Sequence, residues 1–549
     1  MYRSCMCVQC VGTHHTTTTT TTTETETETE TTTDGDAGRG MRARTTPTRW
    51  TTTRDARGVD ARGTTTRRRR DGATRETMMR MTTTTTRGAG RRRAMATKAA
   101  MGAGGGAMCV VAACATWYAG WYAMVRARET SEVRVTARET RTNARVLAKC
   151  AEILDKGYDA VRWLTNRHAS TILSSLLRRN PDVRYQREIL AMPEGGHASL
   201  DWPLSVDGDA EEADVVDAEG RGSADACEIE RGGPPFVSEV FDQSVLVKRR
   251  LAAHHARLAA DAPVLVLMSG IAGGSHDKYL KHFLKRARAR GFRCVAFNCR
   301  GTSESPLTTP QFYSASYTGD IRHVVDTLGE RYPDAPLFAI GWSLGANILT
   351  NFLGEEGSKA KLKGAAALCN PFDLNACDTA LESGFFGKIY SLAMAKNMRK
   401  LFAPHENLFA GLPKYKPELV RAAKTVRDFD EAITRVTFGF PSVDAYYEYS
   451  GSKNKVGDVA IPLMTVQALD DPIAVADSIP RDVIKANPNV ILLETETGGH
   501  LGWEAGPEAP FGAPWPDEVV MRFFEALLEE QEERAPTSAK EATEPVPAR

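Results

Sequence analysis

The chain lacks the marks of several protein classes. Its net charge over 549 residues is only +1, so no basic excess argues for nucleic acid as a partner. No Asn-X-Ser/Thr acceptor occurs, so glycosylation gives no clue to compartment. The 11 cysteines match no disulfide framework. Cys5, Cys7 and Cys10 have no second ligand pair downstream, and no metal site is expected. Cys294 and Cys369 lie in apolar runs and read as small core residues. No Gly-Lys-Ser/Thr follows the glycine-rich stretch Ser269–Ser275, which argues against a phosphate-binding loop there. The motifs imply no cofactor.

Residues 1–98 have too few apolar groups to build a core. A Thr run becomes a Thr-Glu alternation over Thr16–Thr33, and Arg, Thr, Gly and Ala dominate from Arg42 to Arg93. Such a composition cannot bury enough surface to offset chain entropy. It fits a disordered tail, a transit peptide, or an extension upstream of a true start at Met95 or Met101. Ala99–Val125 carries no charge and ends near Trp117, Tyr118, Trp121 and Tyr122. About 20 apolar residues span a bilayer and aromatic residues favour its interface, so this stretch is a candidate single-pass anchor in an endoplasmic reticulum-type or plastid membrane. A Gly/Ala-rich linker, or the end of a targeting peptide that leaves a soluble plastid protein, is the alternative. Basic residues on both flanks leave its orientation open.

Globular character begins after this. Residues 126–180 read as an N-terminal helical extension, and 181–534 as one α/β domain with an acidic insertion at 204–235. From Val264 onward short apolar runs alternate with helical patterns, which predicts an α/β fold with a mostly parallel sheet covered by helices on both faces. Residues 371–458 lose the alternation and read as mainly helical. Residues 535–549 read as a disordered tail. The sequence leaves the oligomeric state open.

The chemistry concentrates at predicted strand ends. Gly341-Trp-Ser-Leu-Gly345 follows the strand Leu337–Ile340 and precedes a helix. A sharp strand-to-helix turn exposes a serine hydroxyl, and flanking glycines let the backbone make it. Asp470-Asp471-Pro472 follows a second strand and Gly498-Gly499-His500 a third. Ser, acid and His in this order suit an exposed nucleophile, its general base and the carboxylate that orients the base. Ser343 is the expected nucleophile and His500 the base. Asp471 is the expected acid, with Asp470 its rival. An oxyanion needs two N–H donors; Leu344 N–H and Ile271 N–H, in the loop after Val264–Met268, are the candidates. Gly270 is expected to allow close substrate approach. Trp342 and Phe312 are placed either in an acyl pocket or in the core. Asp277 is read as a helix start, with a substrate role for it and His276 as the alternative. Cys299-Arg300-Gly301 is read as a structural turn.

With these residues in view, the chain resembles the α/β-hydrolase branch that includes YheT-like hydrolases, embryogenesis-associated hydrolases and the abhydrolase-domain 1 and 3 proteins. The likeness runs over about residues 160–530. It rests on Ala169-Ser-Thr-Ile-Leu173, Tyr185-Gln-Arg-Glu188, Leu200-Asp-Trp202, Gly270-Ile-Ala-Gly-Gly-Ser275, Asn298-Cys-Arg-Gly301, Gly341–Gly345, Asp444-Ala-Tyr-Tyr447, Asp470-Asp-Pro472 and Gly498-Gly-His500. The acid-to-histidine spacing is similar to the family's with Asp471 as the acid. The chain departs in opening its oxyanion loop with Ser269-Gly270 where the family has His-Gly. The resemblance implies an α/β-hydrolase fold with a cap over 371–458, a membrane anchor as in the animal branch, and a lipid or acyl-ester substrate. It implies carboxylic-ester hydrolysis of the acylglycerol lipase, phospholipase or carboxylesterase type. Acyl transfer to an alcohol, or a non-catalytic ligand-binding relative, is the alternative.

Overall fold

The computed structural model describes residues 127–206 and 258–534, with 114, 116–120 and 123. All lie within the unit Gly90–Arg549. The expectations for 1–98, for most of 99–125 and 204–235, and for 535–549 fall outside these residues. No helix among the described residues is long and apolar enough to cross a membrane.

The strands are β1 (Arg128–Ser131), β2 (Val133–Ala137), β3 (Tyr158–Val161), β4 (Val183–Ala191), β5 (His197–Val206), β6 (Val264–Met268), β7 (Arg293–Asn298), β8 (Leu337–Trp342), β9 (Gly364–Leu368), β10 (Leu463–Ala468) and β11 (Val490–Thr495). Nine of them form one sheet in the order β2-β11-β10-β9-β8-β6-β7-β5-β4. Strands β6 to β11 run parallel, whereas β2 joins β11 and the β4–β5 hairpin joins β7 in antiparallel fashion.

Every residue of β6, β8, β9, β10 and β11 is buried. Helices cover both faces, so these strands need apolar residues throughout rather than alternating polarity. Alternation still decides which core each side chain enters. Leu265 and Leu267 enter the core under helices Lys278–Arg288 and Pro516–Arg534, while Val264, Val266 and Met268 enter the core under Gly319–Arg331 and Leu344–Glu356.

Residues 126–180 are more than a helical extension. Besides helices Arg141–Lys156 and Arg167–Leu177 they supply β1 and β3, which pair with each other, and β2, an edge of the main sheet. Val133-Arg-Val-Thr-Ala137 is too short for its alternation to stand out, and pairing with β11 settles it as a strand. The acidic insertion also starts later than expected, because Leu204, Ser205 and Val206 complete β5.

Residues 371–458 are helical, as the loss of alternation suggested. Helix Leu374–Glu382 is capped by Asp373, whose carboxylate accepts from Asn375 and Ala376 N–H. Thr425 and Asp428 form a reciprocal capping box at Val426–Phe429. Phe402, Phe409, Phe429 and Ile433 pack with Phe312 into a separate core, which holds these helices as a layer over the C-terminal ends of β6 and β8.

Candidate active site

Ser343 joins β8 to helix Leu344–Glu356 with φ 53° and ψ −120°. Positive φ is costly for a residue with a side chain. The turn is also too tight for side chains at its flanks. A Cβ on Gly341 would stand 2.5 Å from Gly345 O, and one on Gly345 would stand 2.4 Å from Ser269 O. The two glycines are therefore required by backbone approach, and the serine side chain is presented between them.

His500 Nε2 lies 3.0 Å from Ser343 Oγ, and its Nδ1 lies 2.8 Å from Asp471 Oδ2. Asp471 Oδ1 accepts from Ile473 and Ala474 N–H, both at 2.8 Å, so the carboxylate is fixed by the loop after β10. Asp470 points elsewhere. Its Oδ1 accepts from Gly499 N–H at 2.8 Å, and its Oδ2 is buried without a partner. Burial, aided by the Asp471 charge, pushes the Asp470 carboxyl up to about 6. The structure thus brings Ser343, His500 and Asp471 together and leaves Asp470 as a brace for the histidine loop.

Helix Arg167–Leu177 supports the same loop, a role that sequence reasoning missed. Thr171 Oγ1 accepts from His500 N–H at 2.9 Å, Ser170 Oγ donates to Gly498 O at 3.0 Å, and Arg167 donates to Asp471 O at 3.2 Å. The Ala169-Ser-Thr stretch was visible as a shared motif, but nothing local to it names a partner some 330 residues away.

The N–H groups around the serine are partly spoken for. Gly270 N–H donates to Tyr279 Oη at 3.1 Å and Ala272 N–H to Tyr313 Oη at 3.0 Å. Ile271 N–H lies between them. Leu344 N–H opens its helix, where the first N–H groups have no intrahelical acceptor. Ile271 and Leu344 line one cavity with Ser343. Gly270 does not line it; a Cβ there would stand 3.2 Å from Ser343 Cβ, so this glycine lets the loop lie against the serine. Asp277 precedes helix Lys278–Arg288, yet its carboxylate ties back to Ser269 Oγ and to Gly274 N–H. It shapes the loop rather than capping the helix. His276 is exposed, with Nδ1 3.0 Å from Ser303 Oγ. Arg300 is buried and pairs with Asp320, the structural role expected for its turn.

Trp342 is not part of the cavity. It is 1% exposed and packs on Tyr279 and Phe283, on the sheet face opposite helix Leu344–Glu356. Alternation along β8 sends it there. Phe312 does line the cavity. The helical layer contributes Leu374, Leu381, Met394, Met398 and Phe429. Polar groups at the wall include Tyr447 and Asp430; Asp430 accepts from Tyr447 and Thr434 hydroxyls, and burial pushes its carboxyl up to about 6. Cys369 Sγ lies within 4.8 Å of ligating atoms of Asp471 and His500. Burial and the Asp471 charge raise its thiol well above the ordinary range.

An apolar chamber, a serine in hydrogen-bond reach of an imidazole, and a carboxylate on the far ring nitrogen can perform acyl chemistry. The comparisons agree. A family model for the α/β hydrolase fold matches residues 263–507. Embryogenesis-associated protein EMB8 of Picea glauca is 41% identical over 383 residues, spanning 69% of this chain and 75% of that protein. Monoacylglycerol lipase of Saccharomyces cerevisiae is 31% identical over 397 residues, spanning 70% and 83%. Phospholipase ABHD3 of Mus musculus is 28% identical over 380 residues, spanning 69% and 80%. By fold, by site geometry and by these relatives, the chain belongs to the α/β-hydrolase family, in the branch of the embryogenesis-associated and abhydrolase-domain proteins.

Proposed function

We propose that the protein is a serine hydrolase of carboxylic esters whose substrates are lipid-derived or carry short to medium acyl chains. One observation carries this reading: Ser343, in hydrogen-bond reach of His500 and through it of Asp471, lines a cavity whose wall is mostly apolar, with Asp378 and Asp430 as its acidic groups. Ser343 Oγ attacks the ester carbonyl as His500 Nε2 takes its proton. Asp471 holds the imidazole in the needed tautomer and stabilises its cation. Ile271 and Leu344 N–H receive the oxyanion, with the positive end of helix Leu344–Glu356 behind them. His500 then protonates the departing alcohol, and water attacks the acyl-Ser343 ester with His500 as base.

The lipase and phospholipase named among the relatives support a glycerolipid or phospholipid ester as the substrate class. The same acyl-enzyme can be resolved by an alcohol, and a product assay with water and ethanol in competition separates hydrolysis from transfer. A fluorophosphonate probe tests the central assignment. It is expected to label the wild type and not Ser343→Ala; equal labelling of both contradicts it.

A further inference from the structure

Helix Gly384–Phe402 has an unusual outer surface. Its inner face is ordinary: Gly387, Tyr390, Ser391, Ala395, Met398 and Phe402 are buried, and Met394 and Met398 reach the cavity. On the other side Phe385 is 75% exposed, Leu392 49% and Ile389 40%. Their spacing, i, i+4 and i+7, places them in one stripe. Phe386, 39% exposed, extends it and stacks on His168 at 4.1 Å. Isolated exposed apolar residues are normal, but four on two turns of one helix form a patch that needs a partner.

The charge around the patch indicates which partner. The helix contains Lys388, Lys396, Arg399 and Lys400 and no acidic residue. Lys388, Lys396 and Lys400 are exposed, and among the described residues none has an ion-pair partner. Lys388 lies between the exposed aromatic and aliphatic groups, and Lys396 and Lys400 continue the stripe. Glu382, just before the helix, is near enough for its charge to interact with Lys388, but the cations outnumber it, and apolar groups with interleaved lysines suit the boundary of an anionic bilayer, where the rings enter the acyl region and the ammonium groups meet phosphates. A protein partner of equal fit would have to present acids around an apolar socket.

We infer that the outer face of helix Gly384–Phe402 docks on an anionic phospholipid surface. The helix then has lipid on one side and the acyl cavity on the other, which places the cavity wall at the water–lipid boundary. This does not depend on Ser343 chemistry, nor on any tether within Ala99–Val125.

The full chain carrying Phe385→Trp tests it, with the wild type supplying the background fluorescence. The added indole is expected to emit as a water-exposed group in buffer. It should shift blue and be quenched by brominated phosphatidylcholine in vesicles that also contain phosphatidylserine. Adding Lys388→Gln, Lys396→Gln and Lys400→Gln should weaken this response on the order of 100-fold in lipid concentration, at about one kcal/mol per cation. An indole that remains unquenched, or that is already blue-shifted without lipid because another part of the chain or a second copy covers it, overturns the inference. An unchanged titration in the lysine variant overturns the anionic assignment. Since none of these readouts is an activity, failure of the hydrolase reading would be seen separately.

Discussion

Ser343 shows how much local conformation is needed to present a hydroxyl at a strand-to-helix turn. Its φ of 53° is a conformation that the flanking glycines permit and that the surrounding sheet and helix enforce. The two adjacent aspartates then take different tasks through a one-residue difference in direction: Asp471 meets the imidazole, and Asp470 meets the Gly499 amide. Asp471→Asn should lower kcat by about 10³–10⁴-fold, the effect of losing the orienting carboxylate, with KM little changed. Asp470→Asn should keep most of kcat. Steady-state kinetics on one soluble ester distinguishes them, and the reverse ranking would exchange their roles. Glycine spacing, the Ser-acid-His order and the strand ends made Ser343 and His500 legible in the sequence. The choice between the aspartates came from the family-like spacing, since their composition and neighbours are nearly the same. Trp342 stayed open between pocket and core because a strand buried on both faces gives no polarity contrast from which to read its direction.

At the scale of elements, the parallel strands were legible because each is an apolar run bounded by turns. That the helical layer caps the site was implied only by the family resemblance, and which of its residues face the serine was not legible. Leu374, Leu381, Met398 and Phe429 are ordinary helix-face residues, and only tertiary packing gathers them over the serine. The edge strand β2 and the bracing role of helix Arg167–Leu177 were opaque for the same reason: their partners, β11 and the His500 loop, lie more than 300 residues away. The cavity wall makes its own prediction. Met394→Trp should reduce kcat/KM for long acyl chains more than for short ones, because added volume in a packed site excludes the longer ligand first. A series of 4-nitrophenyl esters of increasing length measures this, and a uniform loss across the series would place Met394 outside the acyl path.

At the scale of the whole molecule, several buried carboxyls tie stability to pH. Asp517 begins helix Pro516–Arg534, is fully buried, and has no hydrogen-bond partner at either oxygen. Burial pushes its carboxyl up to about 7. An unfolded aspartate ionises near 3.9, so between these values the folded state holds the extra proton and stability falls as pH rises. Asp517→Asn removes that loss. Its stability should gain on the wild type between about pH 4 and pH 7, read as a rising Tm difference, with a ceiling of roughly 4 kcal/mol at 1.4 kcal/mol per unit. Thermal melts across this range check the sign, and a gap that narrows as pH rises would contradict it.

The central claim, that Ser343 carries the acyl group, is tested most directly by trapping the intermediate. Wild-type protein mixed briefly with a medium-chain acyl ester, quenched in acid and digested should yield the peptide containing Gly341–Gly345 with the mass of one acyl group on Ser343. Ser343→Ala should yield none. An acyl mass on another residue, or turnover of the ester by Ser343→Ala at the wild-type rate, would contradict the account.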